Sequence, residues 1–138
     1  MKRSKAREIC FHILYETQFQ PGEDAEKLTM TYLEQFAEEE TVTENDLAFI
    51  LGEIEGTIEH LDEIDAKIEE NLVGWKLNRL SKVDLSILRL AVYEILFAKD
   101  IPENVSINEA VELGKNYSEE TSGSFINGVL ANFVPQRD

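Results

Sequence analysis

Cysteine, proline, histidine and tryptophan are all scarce, with one Cys, three Pro, two His and one Trp in 138 residues. The lone Cys10 excludes an internal disulfide and a multi-thiolate metal site, and it agrees with a reducing compartment. His12 and His60 fall on different predicted helices and outside any H-E-x-x-H pattern, so imidazole chemistry and a metal centre both lack their ligands. No G-x-S-x-G elbow, G-x-x-x-x-G-K-[ST] loop or G-x-G-x-x-G turn occurs, which removes the usual scaffolds for acyl transfer, nucleotides and dinucleotide cofactors. The most apolar stretch, Val83 to Ala98, carries Asp84, Arg89 and Glu94, and no run reaches the roughly 18 uncharged residues of a membrane span. No apolar segment with a small-residue cleavage site follows the basic start, so a cytoplasmic location is expected. The inventory predicts a non-enzymatic chain with no catalytic residues, cofactor, metal or membrane segment.

Charge of one sign is abundant. The net charge is −15, yet residues 1–7 hold four of the 13 basic groups and no acid. That short segment carries +4 and the remaining chain −19. A second basic cluster, Lys76, Arg79, Lys82 and Arg89, is interrupted only by Asp84. Screening over roughly 8–10 Å lets local charge outweigh the total, so an acidic body can still present a positive face.

Apolar residues recur at three- and four-residue spacing, and no clean alternation of apolar and polar residues appears, so the fold class is all-α in a single domain over 1–138. Seven helices are predicted. The first runs from a Ser4 cap to about Phe19 on a stripe of Ala6, Ile9, Cys10, Ile13 and Leu14, and the second spans about Ala25 to Glu39. Thr43 with Asp46 opens the third, which contains Gly52-x-x-x-Gly56, a spacing suited to close approach of two soluble helices. Asp62 caps the fourth as far as Leu72, and Ser81 with Asp84 opens a fifth, the most apolar and therefore the central helix. Ser106 with Glu109 reads as a capping box for the sixth, and Thr121 or Ser122 starts a seventh running to Pro135.

With chemistry excluded, binding remains. Arg3, Arg7, Phe11 and Tyr15 follow at four-residue spacing, a row that drifts slowly along the first helix. A cationic end grading into aromatics suits single-stranded nucleic acid, where charge meets phosphate and rings stack on bases. The alternative is that Phe11 and Tyr15 simply widen the core face.

The C-terminal half carries four linked motifs. They are Trp75-x-Leu77-x-Arg79-Leu80-x-x-Val83-Asp84-x-x-Ile87-Leu88-Arg89-Leu90-Ala91-x-Tyr93-Glu94, then Ile101-Pro102, Ile107-Asn108-Glu109-Ala110-Val111-Glu112-Leu113, and Ser122-x-x-Phe125-x-Asn127-Gly128-Val129-Leu130. With Lys5-Ala6-Arg7-Glu8 through Leu14-Tyr15 they closely resemble the NusB transcription antitermination family. The resemblance covers nearly the whole chain and is thinnest across residues 20–60.

It implies two packed helical bundles and a bacterial factor that pairs with the small-subunit ribosomal protein NusE. It further implies binding of single-stranded boxA RNA in nascent ribosomal RNA leaders and action within an RNA polymerase antitermination complex. Carried over by motif, Arg3, Lys5, Arg7, Tyr117, Ser122 and Phe125 are the RNA-binding residues, and Tyr15 and Asp84 the protein-partner residues. Lysines stand where family members commonly have arginine, and lysine lacks the planar fork that grips phosphate bidentately. The resemblance leaves monomer and homodimer both open. Two other readings stand beside it: a helical adaptor that binds only protein, and the accessory domain of a ribosomal RNA methyltransferase, for which 138 residues hold no catalytic domain.

Overall fold

Helical spacing is realised throughout the computed structural model, which describes residues 1–36 and 40–134 and has seven α-helices and no strand among them. These are α1 (Arg3–Thr17), α2 (Ala25–Phe36), α3 (Glu44–Glu59), α4 (Leu61–Glu70), α5 (Lys82–Phe97), α6 (Glu103–Tyr117) and α7 (Ser122–Ala131), with a 3₁₀ turn at Leu77–Arg79 before α5. The predicted ends of the second and seventh helices, Glu39 and Pro135, lie outside the described residues.

Two predicted caps form as the sequence suggests. The Asp46 amide donates to Thr43 Oγ1 at 3.1 Å while the Thr43 amide donates to Asp46 Oδ2 at 3.0 Å, and the Asp84 amide donates to Ser81 Oγ at 3.0 Å. Three others do not. Lys2 is the N-cap of α1, so Ser4 lies inside the helix and spends its hydroxyl on Glu109 Oε1 at 2.7 Å. His60 both ends α3 and starts α4, which places Asp62 in the first turn, where its charge still favours the helix dipole. Pro102, with φ −59°, starts α6 one turn earlier than Ser106, whose hydroxyl is claimed by Glu94 at 2.7 Å. Thr121 precedes α7 without a side-chain cap bond.

α5 is the centre of the molecule. It buries Ile87, Leu88, Leu90, Ala91, Val92 and Ile95 and touches α1, α3, α4, α6 and α7. Each of the Ile, Leu and Val side chains contributes roughly 1.5–3 kcal/mol when fully buried. Helices α1, α2 and α3 contact one another, whereas α4, α6 and α7 gather on α5; the two sets meet mainly where α1 and α3 lie against α5, with α1 also touching α6 and α3 touching α4. Cys10 sits in that seam, fully buried, and donates to the Ile50 carbonyl at 3.7 Å; burial pushes its thiol well above the ordinary range. The Gly52-x-x-x-Gly56 pair is asymmetric. A Cβ at Gly56 would collide with the Tyr93 ring of α5, so this glycine permits the close approach, whereas Gly52 faces open space. Gly74 has φ +76° and turns the chain after α4.

Candidate nucleic-acid and partner interface

The basic segment forms the first turns of α1, and its cations have three different fates. Arg3 is 43% exposed; its guanidinium lies 4.2 Å above the Phe49 ring and 4.0 Å from Asp46. Asp46 also accepts the N-terminal ammonium of Met1 at 3.2 Å, and the bond from the Thr43 amide heads the contacts that hold its carboxyl below the usual range. Lys5 is half-exposed and pairs with Glu8 at 3.3 Å. Arg7 turns inward.

The Arg7 side chain is 6% exposed and its Nε donates to Glu94 Oε2 at 2.9 Å and Oε1 at 3.3 Å. Burial alone would lower its pKa, but the bond to Glu94 and the Glu94 charge more than offset this and raise it. Phe11, one turn further, is also buried. The row Arg3, Arg7, Phe11, Tyr15 is therefore not a surface track: a four-residue repeat drifts from the 3.6-residue turn, and its middle falls into the core.

The α1 and α6 helices meet through side chains. Tyr117 at the end of α6 remains 38% exposed, its ring centroid 5.1 Å from Phe11 and 5.0 Å edge-on from His12. Its hydroxyl lies 3.3 Å from His12 Nε2, and burial together with a bond to Glu8 pushes the phenol up to about 12. Burial works against the charged form of Glu8, yet Tyr117 and Lys5 more than offset it and lower that carboxyl. Burial also lowers His12. Lys5, Glu8, His12 and Tyr117 thus form one polar and aromatic face between α1 and α6, joined along the same helices by the Ser4 to Glu109 bond. Ser122 is buried at the start of α7, while Phe125 on the same helix is half-buried against the core. Helix α6 contacts both α1 and α7, and so links the two predicted RNA-facing segments.

A strap ties α1 to α5 beside Tyr15, whereas the Asp84 carboxylate faces the turn between α6 and α7, where Ser118 donates to it at 2.8 Å. Gln18 Nε2 donates to the Lys82 carbonyl at 2.8 Å and also bonds Ser86 Oγ. Tyr15 packs edge-on against Phe19 at 5.1 Å, and Lys82 Nζ lies 5.2 Å over the exposed Phe19 ring, two residues before Asp84. A cleft of about 470 Å³ opens beside the strap, with Leu14, Pro21, Ile58 and Leu85 in its walls. Phe19 and Ile58 are residues that sequence reasoning missed; Phe19 follows Tyr15 at four-residue spacing, while Ile58 reads as part of an apolar seam. Arg89 of the second basic cluster is neutralised by a bidentate bond to Asp65, both contacts at 2.8 Å. Val73, 92% exposed, and Trp75 stand out on the connection from α4 to α5.

The arrangement agrees with comparisons to known proteins. The NusB family model matches residues 4–135. A curated relative, the transcription antitermination protein NusB of Agathobacter rectalis, is 49% identical over 135 residues, covering 97% of this chain and 100% of the relative. The solved structure of T. maritima NusB is 40% identical with a TM-score of 0.87, covering 96% of this chain and 90% of that one. A crystal structure of the antitermination factors NusB and NusE in complex with dsRNA is similar to this chain at 29% identity and a TM-score of 0.83, covering 96% and 97%. With helix order, motifs and length all accounted for, the chain belongs to the NusB family.

Proposed function

We propose that this chain is an RNA-binding transcription antitermination factor that pairs with ribosomal protein NusE. In this reading the pair binds the boxA element of nascent ribosomal RNA leaders in the cytoplasm and delivers it to an RNA polymerase antitermination complex. The chain acts by binding, with no catalytic step. The observation that carries the reading is the face between α1 and α6, where Lys5 and the exposed ring of Tyr117 meet at Glu8, with Arg3 near the start of the same helix over Phe49 of α3. Cations beside an exposed aromatic suit unpaired RNA, because phosphate contact and base stacking are then available together. Support for RNA binding and for pairing with NusE, though not for the choice of an unpaired strand, comes from the related NusB and NusE complex, which contains dsRNA. Phe125 and Ser122 extend the proposed face onto α7, and Tyr15 with Asp84 marks the proposed contact with NusE.

The inward turn of Arg7 favours a second reading, a helical adaptor that binds only protein, since it removes one cation from the surface. Fluorescence anisotropy separates the two. The chain with NusE should bind a single-stranded boxA oligonucleotide more tightly than a scrambled strand or a duplex of the same length. Equal affinity for NusE with no RNA selectivity would leave the adaptor.

A further inference from the structure

Asp84 is hydrogen-bonded to the turn between α6 and α7. The Ser118 hydroxyl donates to Asp84 Oδ1 at 2.8 Å. Ser122 Oγ lies 2.8 Å from Ser118 Oγ and 3.4 Å from Asp84 Oδ2. A hydroxyl has one proton, so the shorter contact takes it and the bonds run in series from Ser122 to Ser118 to Asp84. Ser118 is the C-cap of α6, its amide bonded to the Gly114 carbonyl at 3.0 Å, and Ser122 is the first residue of α7. Tyr117 directly precedes this series, and Phe125 follows it by one helical turn. The Asp84 backbone amide donates to Ser81 Oγ at 3.0 Å, which fixes this residue in the first turn of α5 and leaves its carboxylate to the two serines. It borders an open cleft of about 430 Å³ lined by Ser81, Val83, Tyr117, Ser118, Glu119 and Ser122. Asp84 and Glu119 are the charged groups of that cleft, so it attracts a cation.

We infer that Asp84 is a positioning residue that couples the two proposed interfaces. A cationic side chain of the ribosomal-protein partner, drawn to the carboxylate, fixes Asp84 and through Ser118 and Ser122 orders the turn that presents Tyr117 and Phe125 to RNA. The inference rests on the reading above. Its content is thermodynamic: if the partner tightens RNA binding through this series, RNA tightens partner binding by the same factor. Bonds to an ionised acceptor are the stronger kind, and the three groups act as one network.

The test uses the full chain, the purified ribosomal protein and a labelled single-stranded boxA oligonucleotide. The readout is the ratio of RNA dissociation constants without and with saturating partner. Ser118→Ala/Ser122→Ala keeps every charge and should cut this ratio about threefold or more. In an Asp84→Ala background the same pair should change the ratio no further. A merely structural contribution of the serines would shift both dissociation constants alike and leave the ratio intact, which would overturn the inference. So would equal effects of the serine pair in both backgrounds. A wild-type pair that fails to bind the oligonucleotide would instead overturn the functional reading, and the inference with it. Thermal unfolding of each variant confirms that a folded chain is being compared.

Discussion

Arg7 and Glu94 form a buried ion pair, Nε to Oε2 at 2.9 Å, that ties the second turn of α1 to the last turn of α5. Ser106 of α6 donates to the same carboxyl at 2.7 Å, so three helices share one polar knot inside an apolar core. A cation committed in this way holds the basic segment against the bundle and is withdrawn from phosphate.

Removing one partner of such a pair leaves the other buried and uncompensated. Arg7→Ala should therefore destabilise the chain by about 3–5 kcal/mol, read as a lower urea midpoint. Its effect on RNA binding should follow the loss of folded protein. A variant of unchanged stability with a flatter salt dependence of RNA binding would instead return Arg7 to the surface.

Glu53 completes the knot from α3, and its Oε1 is buried without a hydrogen-bond partner. Burial, followed by the bond to Glu94 and its charge, raises this carboxyl from its ordinary 4.5 to about 10. Between those values the folded chain holds a proton that the unfolded chain releases. The contribution is fully present below about pH 4.5 and is lost progressively as the pH rises toward 10. Glu53→Gln mimics the protonated form permanently. Its melting temperature relative to wild type should climb steadily from pH 5 to pH 9, and a pH-independent difference would show that Glu53 is ionised in the fold.

The helices were legible because their apolar spacing is local, and α5 was legible as the centre because its apolar face is the widest. Caps were read less well. Ser106 followed by Glu109 satisfies a capping box, but Pro102 starts α6 first and Glu94 takes the Ser106 hydroxyl. Whether a cation is paired depends on a residue far along the chain: Arg7 and Glu94 are 87 positions apart, and no spacing rule joins them. The same holds for the aromatic face, since His12 and Tyr117 are 105 positions apart. Arg3, Lys5 and Tyr117 were proposed from the family resemblance; that α6 contacts both α1 and α7 could not be read from any local pattern.

The proposed partner contact combines the charge of Asp84 with the ring area of Tyr15 and Phe19. Asp84→Lys should weaken association with the ribosomal protein by replacing a carboxylate with a like charge to a basic partner. Phe19→Ala removes the exposed ring between Tyr15 and Lys82 and should also weaken it, by about 1–2 kcal/mol if that ring is a contact anchor. Isothermal titration calorimetry reads both. An unchanged dissociation constant for the two variants would move the partner surface away from the strap between α1 and α5.

The RNA face makes a prediction in salt. With Arg7 withdrawn, Arg3 and Lys5 are the two remaining cations of the proposed set, and Lys5 is already shared with Glu8 at 3.3 Å. Single strands release roughly 0.7 counterion per phosphate contact, so two contacts give a log-log salt slope near −1.4 for this surface. Arg3→Ala should flatten the slope by about 0.7 and weaken all sequences alike, because phosphate carries no base identity. Tyr117→Ala should cost about 1–3 kcal/mol with little change of slope, because stacking releases no ions. Tyr117→Phe keeps the ring and loses the hydroxyl that faces His12 and Glu8, so it should retain most of the affinity. Anisotropy titrations across a salt series, with the ribosomal protein present, distinguish the three variants. If Tyr117→Ala binds like the wild type while Arg3→Ala does not, RNA meets this face through phosphate alone and the ring serves only to pack α6 against α1.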